Sequence, residues 1–247
     1  QKYYFYVRIV VGFYKLFTIN AERERLYMVY KTVIFDMDGT LLNTLDDLAD
    51  SVNYMLREFD YPLRTVKEVG DFVGNGVERL IRLAVPAGTP DEKILRCMDV
   101  FKTHYAAHMQ DKTRPYDGIC ELLGGLKAEG VKTAVLSNKF DTAVKKLAGE
   151  YFGDLLQDAV GESDRVRKKP APDGIFAAMK KLGALPEETV YVGDSEVDVR
   201  AAKNAKVACI GVTWGFRDKS VLVAEGADMI VSHPQEIITI VRSGAKE

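Results

Sequence analysis

The sequence predicts an α/β fold, a Rossmann-like parallel sheet flanked by helices, with an α-helical segment inserted after the first strand. Three observations point there. Short β-branched runs without polar alternation recur along the chain, the signature of strands buried on both faces. Amphipathic helical patterns separate them, which argues for βαβ units with right-handed crossovers. From residue 36 to 130 the rhythm breaks, and that stretch reads as helix alone.

The elements follow in order. Residues 1–27 carry Tyr3, Tyr4, Phe5, Tyr6, Phe13, Tyr14, Phe17 and Tyr27 and read as a leader or extension outside the functional domain, expected to begin near Met28. Its most apolar stretch contains Lys15 and is too short for a bilayer. The first strand, Thr32-Val33-Ile34-Phe35, ends in Asp36. Leu48, Val52, Met55, Leu56 and Phe59 then make one apolar helical face; Ile94, Met98, Phe101 and Tyr105 make another. Thr89-Pro90-Asp91-Glu92 reads as a helix start with Thr89 as N-cap. Residues 46–114 are therefore expected to form a helical cap, on hinges near Leu45-Asp46 and Arg114-Pro115, with 28–45 and 115–247 forming the α/β core. Further strands are expected at 133–136, 189–192, 207–210 and 228–231, and helices at 117–129, 140–150, 173–183, 196–205 and 234–242.

Composition excludes several classes. Lys+Arg 34 against Asp+Glu 36 leaves a net charge of −2, which gives no bulk reason to coat nucleic acid or an anionic membrane. Three widely spaced cysteines, with no CxxC pair, argue against a zinc knuckle or disulfide framework and for a reducing cytoplasm. A monomer or homodimer is expected.

The chemistry sits at strand ends, where parallel sheets bind ligands. Asp36 and Asp38 flank Met37 as the first strand ends, a placement that suits a nucleophile and a proton donor. Gly39, with Thr40 beside it, lets the backbone approach an anion, so both are candidate substrate contacts. Ser137 and Asn138 offer a hydroxyl, an amide and backbone N–H groups to a phosphate oxygen. Lys169, before the Pro172-Asp173 helix start, can set a fixed positive charge over an oxyanion. Asp194 and Asp198 lie four apart; beside Asp36 they would repel one another unless a hard divalent cation binds, and Mg²⁺ is the usual partner of phosphate.

Asp36-Met37-Asp38-Gly39-Thr40, Ser137-Asn138, Lys169-Pro170 and Gly193-Asp194-Ser195-Glu196-Val197-Asp198, in this order, resemble the four motifs of the haloacid dehalogenase superfamily. The helical insert looks like that family's C1-type cap. The stretch from Phe72 to Ile81 and Val192-Gly193-Asp194-Ser195 look closest to phosphoglycolate phosphatases. The resemblance implies a Mg²⁺-dependent phosphatase acting on a small phosphorylated metabolite, with 2-phosphoglycolate the first candidate. Asp36 would form an aspartyl phosphate, and Asp38 would protonate the leaving alcohol and then activate water. Ser137 and Lys169 would hold the phosphoryl group. Asp36 and Asp194 would ligate the metal, with Asp38 through its carbonyl and Asp198 orienting the shell.

Within the insert, Gly74-Asn75-Gly76 precedes a helix expected to start near Val77, with Arg79 in its first turn. Its free N–H groups would suit a small carboxylate, making Gly74, Asn75, Gly76 and Arg79 candidate substrate contacts. A β-phosphoglucomutase-like sugar-phosphate mutase is the alternative on the same scaffold. A non-catalytic phospho-receiver is disfavoured by Asp38 and the large insert. A dehalogenase would not need Asp38, and a Schiff-base mechanism lacks a persuasive lysine among Lys67, Lys93 and Lys102. His104 and His108 read as an exposed helical face rather than a metal pair, and Trp214 as packing or a loop anchor rather than a base-stacking platform.

Overall fold

The computed structural model describes residues 29–164 and 166–243; the leader and the reading attached to it lie outside the described residues. Strands β1 (Thr32–Phe35), β4 (Lys132–Phe140), β5 (Asp158–Glu162), β6 (Thr189–Gly193), β7 (Ala208–Val212) and β8 (Met229–Val231) form one sheet in the order β5-β4-β1-β6-β7-β8. Every pairing in it is parallel. Helices α5 (Ile119–Ala128), α6 (Asp141–Phe152), α7 (Asp173–Leu182), α8 (Glu196–Ala205), α9 (Lys219–Glu225) and α10 (Pro234–Ser243) complete the crossovers. The period-2 geometry of β1 divides its side chains between two faces. Val33 and Phe35 join an apolar cluster with Ile119, Leu122 and Val144, while Ile34 joins Ile175, Met179 and Val199 on the other side.

Between β1 and α5 stand four helices, α1 (Leu45–Glu58), α2 (Val66–Phe72), α3 (Val77–Ala84) and α4 (Asp91–His108). The apolar stripes on α1 and α4 meet: Leu48, Val52, Met55, Phe101 and Tyr105 are all buried. Met37, Leu41 and Leu42 connect this packing to the sheet, so the insert and the core share one apolar cluster.

Several expectations change. The two connections are not free hinges, because β2 (Leu42–Asn43) and β3 (Arg114–Pro115) pair antiparallel where the chain leaves and re-enters the core, and Leu45 and Asp46 already belong to α1. Thr89 does not cap α4: its hydroxyl donates to Pro86 O at 2.7 Å, closing the preceding turn, and Pro90 takes the N-cap position. Strand β5 lies outside the expected strands: Asp158, Gly161 and Glu162 interrupt its apolar run, as an edge strand permits. Helix α9 is likewise additional to the expected helices; of its seven residues only Leu222 is buried. Among the described residues, no helix is long and apolar enough to cross a membrane.

Candidate active site

The sheet order reverses at β1, since the chain runs from β1 to β4 and β5 and then returns to β6 on its other side. This switch point opens a crevice at the strand ends. Asp36 sits in it, its N–H donating to Val192 O at 2.8 Å. Ser137, Asn138 and Lys139 lie where the β4–β5 register shifts between Leu136 and Phe140, an irregularity that re-aims side chains next to a cleft. The resulting cavity, about 610 Å³ with its open mouth, is walled by core and insert together. Asp36, Asp38, Ser137, Asn138, Lys169 and Asp194 line it from the core; Gly74, Gly76, Val77, Leu80 and Tyr105 line it from the insert.

Lys169 is the electrostatic centre. Its Nζ lies 2.7 Å from Asp36 Oδ1 and 2.6 Å from Asp198 Oδ1, and donates to Tyr191 Oη at 2.9 Å. Burial pulls this lysine's pKa down, but Asp198 and Asp36 outweigh it and hold the ammonium above the usual range. Asp198 is fully enclosed, and both its oxygens are taken: Oδ1 by Lys169 and Tyr191, Oδ2 by the N–H and hydroxyl of Ser195. Asp198 is thus the third helical residue of α8, reaching back to Ser195 at the N-cap.

Asp194 directly follows β6 and faces Asp36. Phe216 N–H donates to its Oδ2 at 2.7 Å and the Thr40 hydroxyl to its Oδ1 at 3.5 Å. The backbone closes tightly round it. A Cβ on Gly39, whose φ is +85°, or on Gly215 would fall 2.3 Å from Asp194 side-chain atoms, so both positions require glycine.

Asp38 lies in the turn beyond Asp36 with its own partners. Thr44 donates to Oδ1 at 2.7 Å and Lys139 Nζ approaches the same oxygen at 3.2 Å. Lys139 also donates to Tyr105 Oη at 2.8 Å, tying α4 to β4. Asp38 and Tyr105 hold Lys139 above the ordinary lysine range despite its burial, and burial pushes Tyr105 up to about 12. The two leading acids therefore occupy distinct settings, each beside its own ammonium.

Asp36, Asp194 and Asp198 bring carboxylate oxygens within 4.8 Å of one another. Burial, then Asp198, raises Asp36 well above the carboxylate range; the same causes in the same order raise Asp194 to about 7. One ammonium does not neutralise three buried carboxylates, and an all-oxygen donor set fits a hard divalent cation.

The structure brings Asp36, Asp38, Ser137, Lys169 and Asp194 to one opening, with Asp198 behind Lys169. It places other expected residues elsewhere. Gly39 and Thr40 are buried against Asp194 and do not line the cavity. The Asn138 side chain is not free for phosphate: Nδ2 donates to Gly74 O and Lys169 O, and Oδ1 accepts from Lys169 N–H. Gly74 and Gly76 line the cavity, but Asn75 does not, and Arg79 lies on the exposed face of α3. Lys67, Lys93 and Lys102 are exposed. Trp214 anchors its loop, donating from Nε1 to Thr40 O at 3.0 Å.

Sequence reasoning missed Lys139, Tyr105 and Arg217. Lys139 carried a readable signal, a lysine directly after Ser137-Asn138. Tyr105 was hidden in a helical apolar stripe, and Arg217 in a loop with no motif.

Comparison with known proteins agrees with this geometry. A family model for haloacid dehalogenase-like hydrolases matches residues 33–212. A phosphoglycolate phosphatase of Pseudomonas savastanoi pv. phaseolicola is 33% identical over 214 residues, covering 84% of this chain and 78% of that protein. Another, of Mannheimia succiniciproducens, is 30% identical over 220 residues, covering 86% and 98%. A crystal structure from Lactobacillus delbrueckii subsp. bulgaricus has TM-score 0.82 at 36% identity, over 87% of this chain and 99% of that one. With the fold, the strand-end acids and these matches in agreement, the chain belongs to the haloacid dehalogenase-like hydrolase family, and is a phosphatase, a hydrolase of phosphoric monoesters.

Proposed function

We propose that this phosphatase hydrolyses a small phosphorylated metabolite, 2-phosphoglycolate first among candidates, through an aspartyl phosphate on Asp36 and with Mg²⁺ as cofactor. The observation that carries the reading is the pair of acids two residues apart, each with its own ammonium: Asp36 with Lys169 and Asp38 with Lys139. The names of the bacterial relatives support the choice of substrate.

Asp36 attacks phosphorus, the bond to the leaving oxygen breaks, and Asp38 delivers a proton to that oxygen. Thr44 and Lys139 both engage Asp38 Oδ1, which leaves Oδ2 to exchange the proton. Asp38 then takes a proton from water as water attacks the aspartyl phosphate, and phosphate departs. Lys169 favours the ionised form of Asp36 against burial and Asp198, and offsets charge on the phosphoryl oxygens. Ser137 and the backbone N–H groups beside it hold another oxygen. Asp36 and Asp194 would hold Mg²⁺ with the Asp38 carbonyl, while Asp198 fixes Lys169 and the Ser195 turn. When bound, the cation supplies electrostatic stabilisation of phosphoryl charge.

Residues 46–114 act as the cap and 28–45 with 115–247 as the catalytic core. Lys139, held as a charged ammonium, does not serve as an amine nucleophile. Three free cysteines, Cys97 and Cys209 buried and Cys120 exposed, suit a reducing cytoplasm.

The test is Mg²⁺-dependent release of phosphate from 2-phosphoglycolate, with acid-quench mapping of the phosphoryl label. Asp36→Asn is expected to lower turnover by on the order of 10⁴-fold or more, since no acceptor remains. Label on any other side chain overturns the nucleophile assignment.

A further inference from the structure

The loop between β7 and α9 reaches in two directions from adjacent residues. Phe216 N–H holds Asp194 Oδ2 at 2.7 Å. The next residue, Arg217, leaves the core and grips the insert. Its Nη1 donates to Gly70 O at 2.8 Å, and its Nη2 to Val73 O at 2.6 Å and Asp71 O at 3.4 Å. These carbonyls end α2, where the helix leaves its last C=O groups without intrahelical partners and the dipole is negative. A planar guanidinium spreads its donors over a fixed fork of two Nη atoms, which spans carbonyls that the single Nζ of an ammonium does not reach together. Glu196 orients the fork from the other side, 3.2 Å from Nε, and begins the helix that follows Asp194. The next carbonyl of the insert, Gly74 O, is taken by Asn138 at 2.9 Å. Residues 70–74 are therefore held through their backbone by two core side chains: Arg217, next in sequence to the Phe216 N–H that holds Asp194, and Asn138, which also bonds the Lys169 backbone.

We propose that Arg217 is a positioning residue that seats segment 70–76 over the reaction centre, and that the Phe216–Arg217 turn couples the placement of Asp194 to closure of the insert. The coupling rests on the reading of Asp194 as a metal ligand given above. Moving Asp194 drags the Phe216 N–H, and the turn carries the guanidinium with it. Coupling of this kind is reciprocal, so a cation that fixes Asp194 also steadies the insert. The consequence for the reaction is selective. The segment lies over the leaving portion of the ester, while the phosphoryl group is held by the core alone.

Hydrogen exchange on the full chain, with and without Mg²⁺, tests this without relying on turnover. In the wild type, Mg²⁺ is expected to slow exchange in 70–76. In Arg217→Ala, exchange there should rise about tenfold or more, with the Mg²⁺ effect lost and β1 unchanged. Arg217→Lys keeps the charge without the fork and should lose most of the protection; it also serves if the alanine variant folds poorly. Wild-type protection in either variant, or a Mg²⁺ effect that survives in both, overturns the proposal. The ratio of kcat/KM for 2-phosphoglycolate to that for an aryl phosphate should also fall, by about tenfold. An equal fall for both substrates, with exchange unchanged, places Arg217 on the chemistry and overturns its seating role. If Asp36→Asn keeps full turnover, the proposed function fails, while the exchange comparison still decides the role of Arg217.

Discussion

Lys169 shows how much a single buried side chain carries. Its ammonium separates Asp36 from Asp198, and no other cation lies within ion-pair distance of either among the described residues. Removing one partner of a buried ionic cluster leaves the others uncompensated, at a typical cost of about 3–5 kcal/mol. Lys169→Met is therefore expected to lower unfolding free energy by about that much at pH 8, read from urea melts, and to abolish activity. A stability loss under about 1 kcal/mol shows that the carboxylates shed their charge by taking up protons instead. Gly39 is the complementary case, a residue selected for what it lacks. A methyl group there meets Asp194 at 2.3 Å, so Gly39→Ala displaces the carboxylate.

At the scale of elements, the 70–76 segment and α3 distinguish backbone from side-chain contributions. Gly76 has φ +83° and ψ 169°, a region open to glycine alone, and a Cβ there would sit 3.3 Å from Glu162 Oε2. Gly76→Val should cost about 1–3 kcal/mol of stability. It should also depress kcat/KM for 2-phosphoglycolate more than for an aryl phosphate. Asn75 does not line the cavity, and Asn75→Ala should keep kcat/KM within about threefold, under ~0.7 kcal/mol of barrier. Equal losses from both substitutions would put selection on the Asn75 side chain after all. The paired β2–β3 ribbon belongs to the same scale: it joins the two chain crossings into one connection.

Across the whole molecule, the carboxylate cluster makes stability depend on pH and, on the proposed function, on Mg²⁺ as well. Asp36 and Asp194 have pKa values raised on folding, Asp194 to about 7. The folded chain holds protons that the unfolded chain releases near pH 4, so their stabilising contribution is complete below that and is lost as pH rises through about 7. Metal-free protein should accordingly lose Tm between pH 5.5 and 8. Mg²⁺ binds the deprotonated form, so its stabilisation should grow over the same interval, reaching about 2.7 kcal/mol at 100 times Kd. Scanning calorimetry at both pH values with chelator or Mg²⁺ checks this. A Mg²⁺ shift no larger at pH 8 than at 5.5 argues against binding at these carboxylates.

The sequence by itself determined the parallel α/β core, because buried strands must be continuous apolar runs and the acids ending them stand out. It also determined the helical nature of the insert, through the stripes on α1 and α4, and marked Asp36, Asp38, Ser137, Lys169, Asp194 and Asp198 as candidates, which the structure brings together. Local pattern did not reveal β5, whose edge position permits polar residues, or α9, which buries a single side chain. Only the tertiary structure decided the partners: Lys139 on Asp38, Asn138 spent on backbone, Thr40 turned to Asp194, Arg217 on the insert. The physical reason is range. Periodicity and capping are set by neighbours within a few residues. The contacts that orient the site join residues far apart in the chain, Arg217 and Val73 by 144 positions, and their directions exist only once the chain has packed.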